Sequence, residues 1–183
     1  CIRDSLLAAP EKTGVSDFEG LMEYGKDKRI VCAGNPSGGT THLLAKALFG
    51  EAGIECEVLS EDGGSKNALA VASGDADCCI VSANAALQYV QDGSLVPLAC
   101  FSEEDYTGYE GHTVPTVKDK GYDIVFKSCN FLMTKKGVDP AVTDKIYQDM
   151  LAYRETDEFK ELAGNASYIP DNQNGEEVRK TVE

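Results

Sequence analysis

Short apolar segments recur along this chain, and each is followed by a polar turn and then by a stretch with helical spacing. Arg29 to Ala33 (RIVCA) and Ala76 to Val81 (ADCCIV) are largely apolar, without the alternation of a half-exposed strand. Strands of this kind are buried on both faces, as in parallel sheets that are covered by helices. The pattern therefore predicts an α/β fold with a parallel or mixed sheet between helical layers.

Strand and helix signals alternate through most of the sequence. The predicted strands are Leu6–Ala9, Arg29–Ala33, Ile54–Leu59, Ala76–Val81, Val96–Phe101 and Val125–Thr134. Helices are predicted after Ser16, over Thr40–Phe49 and Asn67–Ala72, after Asn84 as far as Val90, from Val114 to Gly121, after Asp139, and over Thr156–Ala163 and Glu176–Val182. The segment from 102 to 111 is acidic and aromatic, which predicts a surface connection. Its Tyr106 and Tyr109 are expected to be exposed or to form a lid.

The charge balance limits the partners of the protein. The chain has 17 Lys and Arg against 31 Asp and Glu, a net charge of −14, and such an acidic surface repels the phosphate backbone of nucleic acids. Nucleic acid is therefore not an expected partner. The longest apolar runs, such as Cys78–Val81, fall far short of the roughly 20 residues with which a helix crosses a bilayer.

The cysteines are expected to be buried free thiols, because most of them lie inside the strand-like segments. No C-x-x-C spacing occurs, and His42 and His112 are far apart in sequence, so no metal site is predicted. Cys78 and Cys79 are neighbours, and in a strand their side chains point to opposite faces. No cofactor is expected either.

The first five residues differ in character from the rest. The chain does not begin with Met, and Cys1–Ser5 (CIRDS) resembles the in-frame translation of a transposon-end adapter used to prepare sequencing libraries. We therefore expect residues 1–5 to be an artefact and the natural sequence to begin near Leu6, with its N-terminal part lost.

A glycine-rich loop between a predicted buried strand and a predicted helix is the main candidate site. It comprises Asn35, Ser37, Gly38, Gly39, Thr40, Thr41 and His42. The start of a helix offers free N–H groups and a positive dipole end, which suit a carboxylate or a phosphate. The loop lacks both the Walker lysine and the G-x-G-x-x-G pattern, so nucleotide binding is not expected. The alternative is an ordinary strand-to-helix turn that needs glycine and a hydroxyl for structural reasons.

Two more polar loops follow predicted parallel strands, at Gly63 and Gly64 and at Ser82 and Asn84. The carboxyl ends of parallel strands meet at one edge of a sheet, so the three loops are expected to line one cleft. His42 lacks a nucleophile in a recognisable catalytic motif, and it is expected to pack or to form one hydrogen bond. Asp75 and Asp77 are expected to be a turn with solvated charge.

The order of several motifs resembles the substrate-binding proteins of tripartite tricarboxylate transporters, the TctC or Bug family. The motifs are Ser16–Lys26 (SDFEGLMEYGK), Thr40–Ala45 (TTHLLA), Gly74–Asp77 (GDAD), Asp92–Ala99 (DGSLVPLA), Val114–Val117 (VPTV) with Gly121 and Tyr122, and Gly137–Pro140 (GVDP). Each motif is short, but together they keep the family's order and spacing over nearly all of residues 6–183.

The resemblance implies a type II periplasmic-binding-protein fold, a two-lobed Venus flytrap, of which this chain has one complete lobe and the C-terminal part of the other. Residues 6–126 are expected to form the second lobe, including a crossover strand at 6–9. Residues 127–183 are expected to be the return strand and the helices that complete the first lobe. The implied location is the periplasm or, as a lipoprotein, the outer face of the membrane. The implied partners are a di- or tricarboxylate or an acidic amino acid, and the permease subunits of the transporter.

Carried over residue by residue, the family's second-lobe ligand loop falls on residues 35–42, with N–H groups and the hydroxyls of Thr40 or Thr41 as carboxylate donors. The family pattern Ser-x-Gly-x-Gly-Ser is changed here, because Gly34, Pro36 and Gly39 replace its first Ser, first Gly and last Ser. An aromatic residue common near the return strand is replaced by Asn130, which the resemblance makes a candidate ligand-binding residue. Because of these changes, we expect the ligand to contact backbone N–H groups of the loop more than hydroxyl groups. The identity of the substrate is not carried over from the family.

Two functions fit the sequence. The first is an extracytoplasmic solute-binding protein, not an enzyme, that captures a small organic carboxylate. The alternative is a cytoplasmic doubly wound enzyme or regulator domain that acts on a small anionic metabolite through the same loop. The six thiols other than Cys1 give the alternative some weight, since free thiols favour a reducing compartment.

Overall fold

The computed structural model describes residues 2–3, 5–10, 14–61, 63–126, 128–129, 132–165 and 173–182. The chain divides into two compact units, a larger one of Asp4–Ser128 and a smaller one of Cys1–Arg3 with Cys129–Glu183. Every predicted site residue lies in the larger unit except Asn130, which is outside the described residues. The larger unit therefore holds the candidate site.

Strands and helices alternate as the sequence pattern predicts. The strands are β1 (Ile2–Arg3), β2 (Ser5–Pro10), β3 (Ile30–Gly34), β4 (Cys56–Ser60), β5 (Cys78–Ser82), β6 (Leu95–Cys100), β7 (Tyr106–Tyr109), β8 (His112–Val114) and β9 (Ser128–Cys129). The helices are α1 (Phe18–Lys26), α2 (Thr40–Glu51), α3 (Gly64–Ser73), α4 (Ala83–Gln91), α5 (Pro140–Arg154), α6 (Asp157–Asn165) and α7 (Gly175–Val182).

The larger unit is built on a five-stranded mixed sheet with the order β4-β3-β5-β2-β6. β3 runs parallel to both β4 and β5, whereas β2 runs antiparallel to both β5 and β6. The predicted strand Leu6–Ala9 therefore exists as β2, and it lies between two later strands of the chain. The prediction of a parallel or mixed sheet is confirmed in its mixed form.

The sheet buries apolar residues on both faces, which is why its strands lack alternation. On one face, Cys32 and Cys78 pack with Leu48 and Phe49 of α2. On the other face, Cys79 packs with side chains of α3 and α4. Cys78 and Cys79 thus point to opposite faces, as predicted, and burial raises the pKa of the Cys79 thiol to about 12. Cys32, Cys56, Cys78, Cys79 and Cys100 are free thiols.

The segment after β6 differs from the prediction of an exposed connection. It forms the β7–β8 hairpin, in which Tyr106 and Tyr109 are only 2% and 3% exposed. Their rings meet edge to face with centroids 5.1 Å apart, and the Tyr109 hydroxyl donates to the carbonyl of Ala83 at 2.6 Å. Burial raises the pKa of Tyr109. The tyrosines are therefore core residues of the unit, while the neighbouring acidic side chains remain exposed.

Tyr109→Phe is expected to lower the free energy of unfolding by about 1 kcal/mol, because the buried hydroxyl donates a hydrogen bond to α4 that phenylalanine cannot replace. Urea denaturation of the full-length gene product measures this change. Tyr89→Phe is the matched control, since Tyr89 also lies on the α4 side of the sheet but is only half-buried. Equal midpoints for the two variants would contradict the assigned role of the Tyr109 hydroxyl.

Two further elements differ from prediction. The segment from Val114 to Gly121 is not a helix, because Val114 pairs with Tyr106 in the hairpin and Thr116 forms a parallel bridge to Cys100. The predicted strand from 125 to 134 is reduced, in its described part, to β9. In the first place long-range pairing of Val114 and Thr116 decides the backbone conformation, and local spacing does not.

The smaller unit contains α5, α6 and α7. Asp139 caps α5 by accepting from the Ala141 N–H at 2.9 Å, with Pro140 in the first turn. The rings of Tyr153 and Phe159 meet edge to face at 5.6 Å and join α5 to α6. Within the described residues, α5 has no buried side chain. No helix of the described chain is both long and apolar enough to cross a bilayer.

Candidate ligand-binding edge of the larger unit

The candidate site lies where the three parallel strands of the sheet end. β3, β4 and β5 are neighbours that run in the same direction, so their carboxyl ends lie at the same edge. After these strands the chain enters α2, α3 and α4 respectively. We call this part of the larger unit the carboxyl edge. It brings the three predicted loops to one place, as the parallel pattern required.

The helices that begin at the carboxyl edge have no side-chain caps. Gly39, Gly63 and Ser82 precede α2, α3 and α4, and none of them makes a side-chain cap hydrogen bond. By contrast, Asp17 and Asp139 cap α1 and α5 through their carboxylates. The first N–H groups of an uncapped helix remain available to another acceptor, and the helix dipole favours an anion there. The starts of these three helices therefore favour an anion.

The loop between β3 and α2 is held by hydrogen bonds within itself. The Asn35 N–H donates to Thr41 Oγ1 at 2.7 Å, and the Thr41 hydroxyl donates to Asn35 Oδ1 at 2.6 Å. The Gly39 N–H donates to the Pro36 carbonyl at 2.8 Å. The Thr41 hydroxyl proton is bonded to the side-chain oxygen of Asn35. The donor of this pair that remains free is therefore the side-chain amide nitrogen of Asn35.

Close contacts explain the glycine at the start of α2. Gly39 has φ −72° and ψ 159°, a conformation that any residue adopts. However, a Cβ at this position would lie 2.7 Å from the Asn35 Cβ and 3.0 Å from the Pro36 carbonyl oxygen. The close packing of Asn35 and Pro36 therefore requires a glycine at this position. Because Gly39 has no side chain, the loop can fold tightly over the first turn of α2.

The residues of this loop are accessible and uncharged. Asn35, Ser37, Gly38 and Thr40 are exposed, whereas Gly39, Thr41 and His42 are half-buried. No Asp, Glu, Lys or Arg occurs from 35 to 42. The groups that this loop offers to an anion are therefore N–H dipoles, the Asn35 amide and the Thr40 hydroxyl, and none of them is charged. The described residues contain no group of three metal-ligating side chains.

The second and third loops lie against each other. A Cβ on Gly64 would be 2.9 Å from the Ala85 Cβ and 3.9 Å from the Ser82 hydroxyl oxygen, so the first turns of α3 and α4 are in contact. The first loop joins them at its base, because the Glu61 N–H donates to the Gly34 carbonyl at 3.3 Å.

Sequence reasoning missed the roles of two residues, Asp77 at the opposite, amino end of the parallel strands and Asn67 near the carboxyl edge. Asp77 accepts the Val31 N–H at 2.8 Å and the Tyr24 hydroxyl at 3.1 Å. The hydrogen bond to Asp77 raises the pKa of Tyr24. Asp77 therefore links β5 to β3 and α1 and is not simply a solvated turn residue.

Asn67 in α3 is fully buried, and neither of its amide atoms has a hydrogen-bond partner within the described chain. Its sequence signal is an amide at the start of the helix face that buries Ala68, Ala70 and Val71. The side-chain oxygen of Asn84 is also buried without a partner.

The chain resembles several known proteins. It is 27% identical over 158 residues to the UPF0065 protein of the gbd 5' region of Cupriavidus necator, an alignment that covers 82% of this chain and 47% of that protein. It superposes with a TM-score of 0.84 on Rpa4515 of R. palustris with adipate, at 16% identity over 99% of this chain and 61% of that one. It superposes with a TM-score of 0.77 on MatC (Rpa3494) of Rhodopseudomonas palustris with bound malate, at 13% identity over 99% and 63%.

These matches establish the fold and the family. The solved structures are similar in fold to almost the whole of this chain, which confirms the expected fold class of one lobe with part of the other. The chain spans about half the length of the curated relative and about three-fifths of the solved chains. A sequence profile of the tripartite tricarboxylate transporter family receptor, TctC, matches residues 4–182. This chain belongs to the TctC receptor family.

Proposed function

We propose that the protein is an extracytoplasmic solute-binding receptor, which binds a small organic carboxylate at the carboxyl edge and delivers it to a membrane permease. The observation that carries the proposal is the uncapped start of α2 beneath an uncharged glycine loop, in a chain of the TctC receptor family. Residues 6–126 act as the second lobe of the receptor. Residues 127–183 complete its first lobe.

Capture relies on hydrogen bonds that are ready before the ligand arrives. The carboxylate accepts from the N–H groups of the first turn of α2 and from the Asn35 amide nitrogen and the Thr40 hydroxyl. Each hydrogen bond to a charged group contributes about 1.5–3 kcal/mol. The net charge of −14 opposes this only weakly, since salt screens charges beyond about 8 Å under physiological conditions. Local groups therefore decide the affinity: the hydrogen-bond donors favour the anion, and the acidic residue Glu61, whose N–H donates to the Gly34 carbonyl, opposes it.

The ligand class follows from the donors and is supported by relatives. Two solved neighbours carry adipate and malate, both of which are carboxylates. Gly63, Gly64, Ser82 and Asn84 extend the site along the carboxyl edge, and the proposed ligand is a di- or tricarboxylate or an acidic amino acid. No covalent step is required, so the protein acts without turnover and is not an enzyme. Its place is the periplasm or the outer face of the membrane, with or without a lipid anchor.

Calorimetric titration of the full-length gene product with di- and tricarboxylates tests this function. We expect saturable binding of at least one acid, and chromatography should recover that acid unchanged after prolonged incubation. Titration with the corresponding diamides is the matched control, because these compounds keep the shape and lose the anionic groups. Binding of the diamides, or chemical conversion of the acid, would reject the proposal, and conversion would favour the cytoplasmic enzyme instead.

A further inference from the structure

Asn67 is a polar residue in the interior of the larger unit. It is fully buried in α3, and its nitrogen and oxygen have no hydrogen-bond partner within the described chain. A buried amide without partners is destabilising relative to an apolar side chain of the same size. Alanine or leucine would suit the neighbouring apolar positions of α3 better. The amide therefore needs an explanation outside the stability of the fold.

Asn67 lies in the first turn of α3, whose uncapped end is at the carboxyl edge. A helical side chain lies over the turn N-terminal to its own residue, and for Asn67 that turn begins at Gly63 and Gly64. A Cβ on Gly63 would meet no atom within 4 Å, and Gly64 lies against Ser82 and Ala85. Between Asn67 and the start of α3, Gly63 and Gly64 have no side chains.

A second buried amide is found at the same edge. Asn84 lies in the first turn of α4, and its side-chain oxygen is buried without a partner. The first turns of α3 and α4 are in contact through Gly64 and Ala85. Two helix starts without side-chain caps thus share two amides with unused hydrogen-bonding capacity.

We infer that Asn67, assisted by Asn84, recognises a hydroxyl group of the ligand, so that the receptor selects hydroxycarboxylates over the same acids without the hydroxyl. This inference rests on the proposed function, since it concerns the same cleft. The amide atoms without a partner in the described chain are the N–H₂ donor of Asn67 and the acceptor oxygens of Asn67 and Asn84. A hydroxyl group satisfies both kinds of atom, because it donates one hydrogen bond and accepts others.

Other ligand groups fit these atoms less well. A carboxylate oxygen only accepts and is repelled by the amide oxygens, whereas an ammonium group only donates and leaves the Asn67 nitrogen unpaired. The carboxylates of the ligand therefore go to the N–H groups of the helix starts, and its hydroxyl goes to the Gly63–Gly64 side of the cleft. The glycine pair has the backbone freedom to admit it, since Gly63 has φ 107°.

The test compares acids that differ by a single hydroxyl, in the full-length gene product. The pairs are succinate and malate, glutarate and hydroxyglutarate, and tricarballylate and citrate, with aspartate as the amino counterpart of malate. We expect the hydroxylated member of at least one pair to bind about tenfold more tightly or better, because a site built for a hydroxyl rejects the analogue without it. In Asn67→Leu, the ratio of the dissociation constant of the acid without the hydroxyl to that of the hydroxylated acid should fall to about 1.

Melting temperatures without ligand separate recognition from a structural role. Asn67→Leu should melt at the same temperature or higher, because it removes an unpaired buried amide. Asn67→Ala is the second variant of this position. Gly50→Ala is the control, because its added Cβ meets no atom within 4 Å, and it should keep the ratio of dissociation constants of the unmodified protein.

Three results would overturn the inference while leaving the proposed function in place. They are equal binding within every acid pair, an unchanged ratio in both Asn67 variants, and tighter binding of aspartate than of malate. A marked loss of melting temperature in both variants with an unchanged ratio would assign Asn67 to the fold alone. If none of the acids binds to the unmodified protein, the proposed function fails and the inference fails with it.

Discussion

Gly39→Ala is expected to weaken carboxylate binding by roughly 10- to 100-fold, the largest effect that we predict for a single methyl group in this protein. The added Cβ would lie 2.7 Å from the Asn35 Cβ and 3.0 Å from the Pro36 carbonyl oxygen. Neither atom is the end of a flexible side chain, so the backbone of the loop must move. That movement displaces the Asn35 amide and covers the first N–H groups of α2.

The same substitution should change stability little. The loop is largely exposed, and Gly39 already has an extended conformation that alanine adopts. Calorimetric titration and thermal melting of the full-length gene product measure the two effects separately. Gly50→Ala in the same helix is the matched control, because its Cβ meets no atom within 4 Å. It should keep the affinity and raise stability by up to about 1 kcal/mol. Full affinity in Gly39→Ala would remove the start of α2 from the site.

Thr41→Val is expected to weaken binding by about tenfold or more, although the Thr41 hydroxyl has no free proton for the ligand. Valine has the size of threonine but cannot form the hydrogen bonds of 2.7 Å and 2.6 Å with Asn35. The loop then loses the contacts that orient the Asn35 amide nitrogen. Thr41 thus acts as a positioning residue, whose effect on the ligand is transmitted through Asn35.

Neighbouring substitutions distinguish positioning from direct contact. Thr41→Ser keeps the hydroxyl and should restore most of the affinity. Thr40→Val removes an exposed hydroxyl and should cost at most the one hydrogen bond that it donates to the ligand. Hydrogen exchange of residues 35–41 should rise in Thr41→Val and stay unchanged in Thr40→Val. If Thr41→Ser binds as weakly as Thr41→Val, or if exchange is the same in all variants, the positioning role is wrong.

The sequence does not predict that Thr40 and Thr41 have different roles. Adjacent hydroxyls at the start of a helix predict two equivalent carboxylate donors. The structure commits the Thr41 hydroxyl to Asn35, six residues earlier, and leaves Thr40 exposed. This difference depends on the path of the loop from Asn35 to Gly39. The loop folds back on itself, so that the start of α2 lies beside Asn35. Residue type and spacing do not specify such a return.

The position of β2 illustrates the same limit at the level of the sheet. Its apolar residues predict a strand, and the strand is present. The pattern does not predict that β2 lies antiparallel between β5 and β6, strands that are about 75 to 90 residues away in sequence. The hairpin of β7 and β8 is a similar case. Its acidic residues indicate a surface segment, yet Tyr106 and Tyr109 anchor it in the core.

The amino-acid sequence determined the α/β class, the order of the main strands and helices, the opposite orientations of Cys78 and Cys79, and the meeting of three polar loops at one edge. These properties follow from the periodicity of apolar residues and from the direction of parallel strands, both of which are local or general rules. The tertiary structure alone decided which hydroxyl is engaged, which tyrosines are buried and which amide lacks a partner. These properties depend on contacts between residues distant in sequence, and the free energy of such contacts is fixed only when the whole fold brings them together.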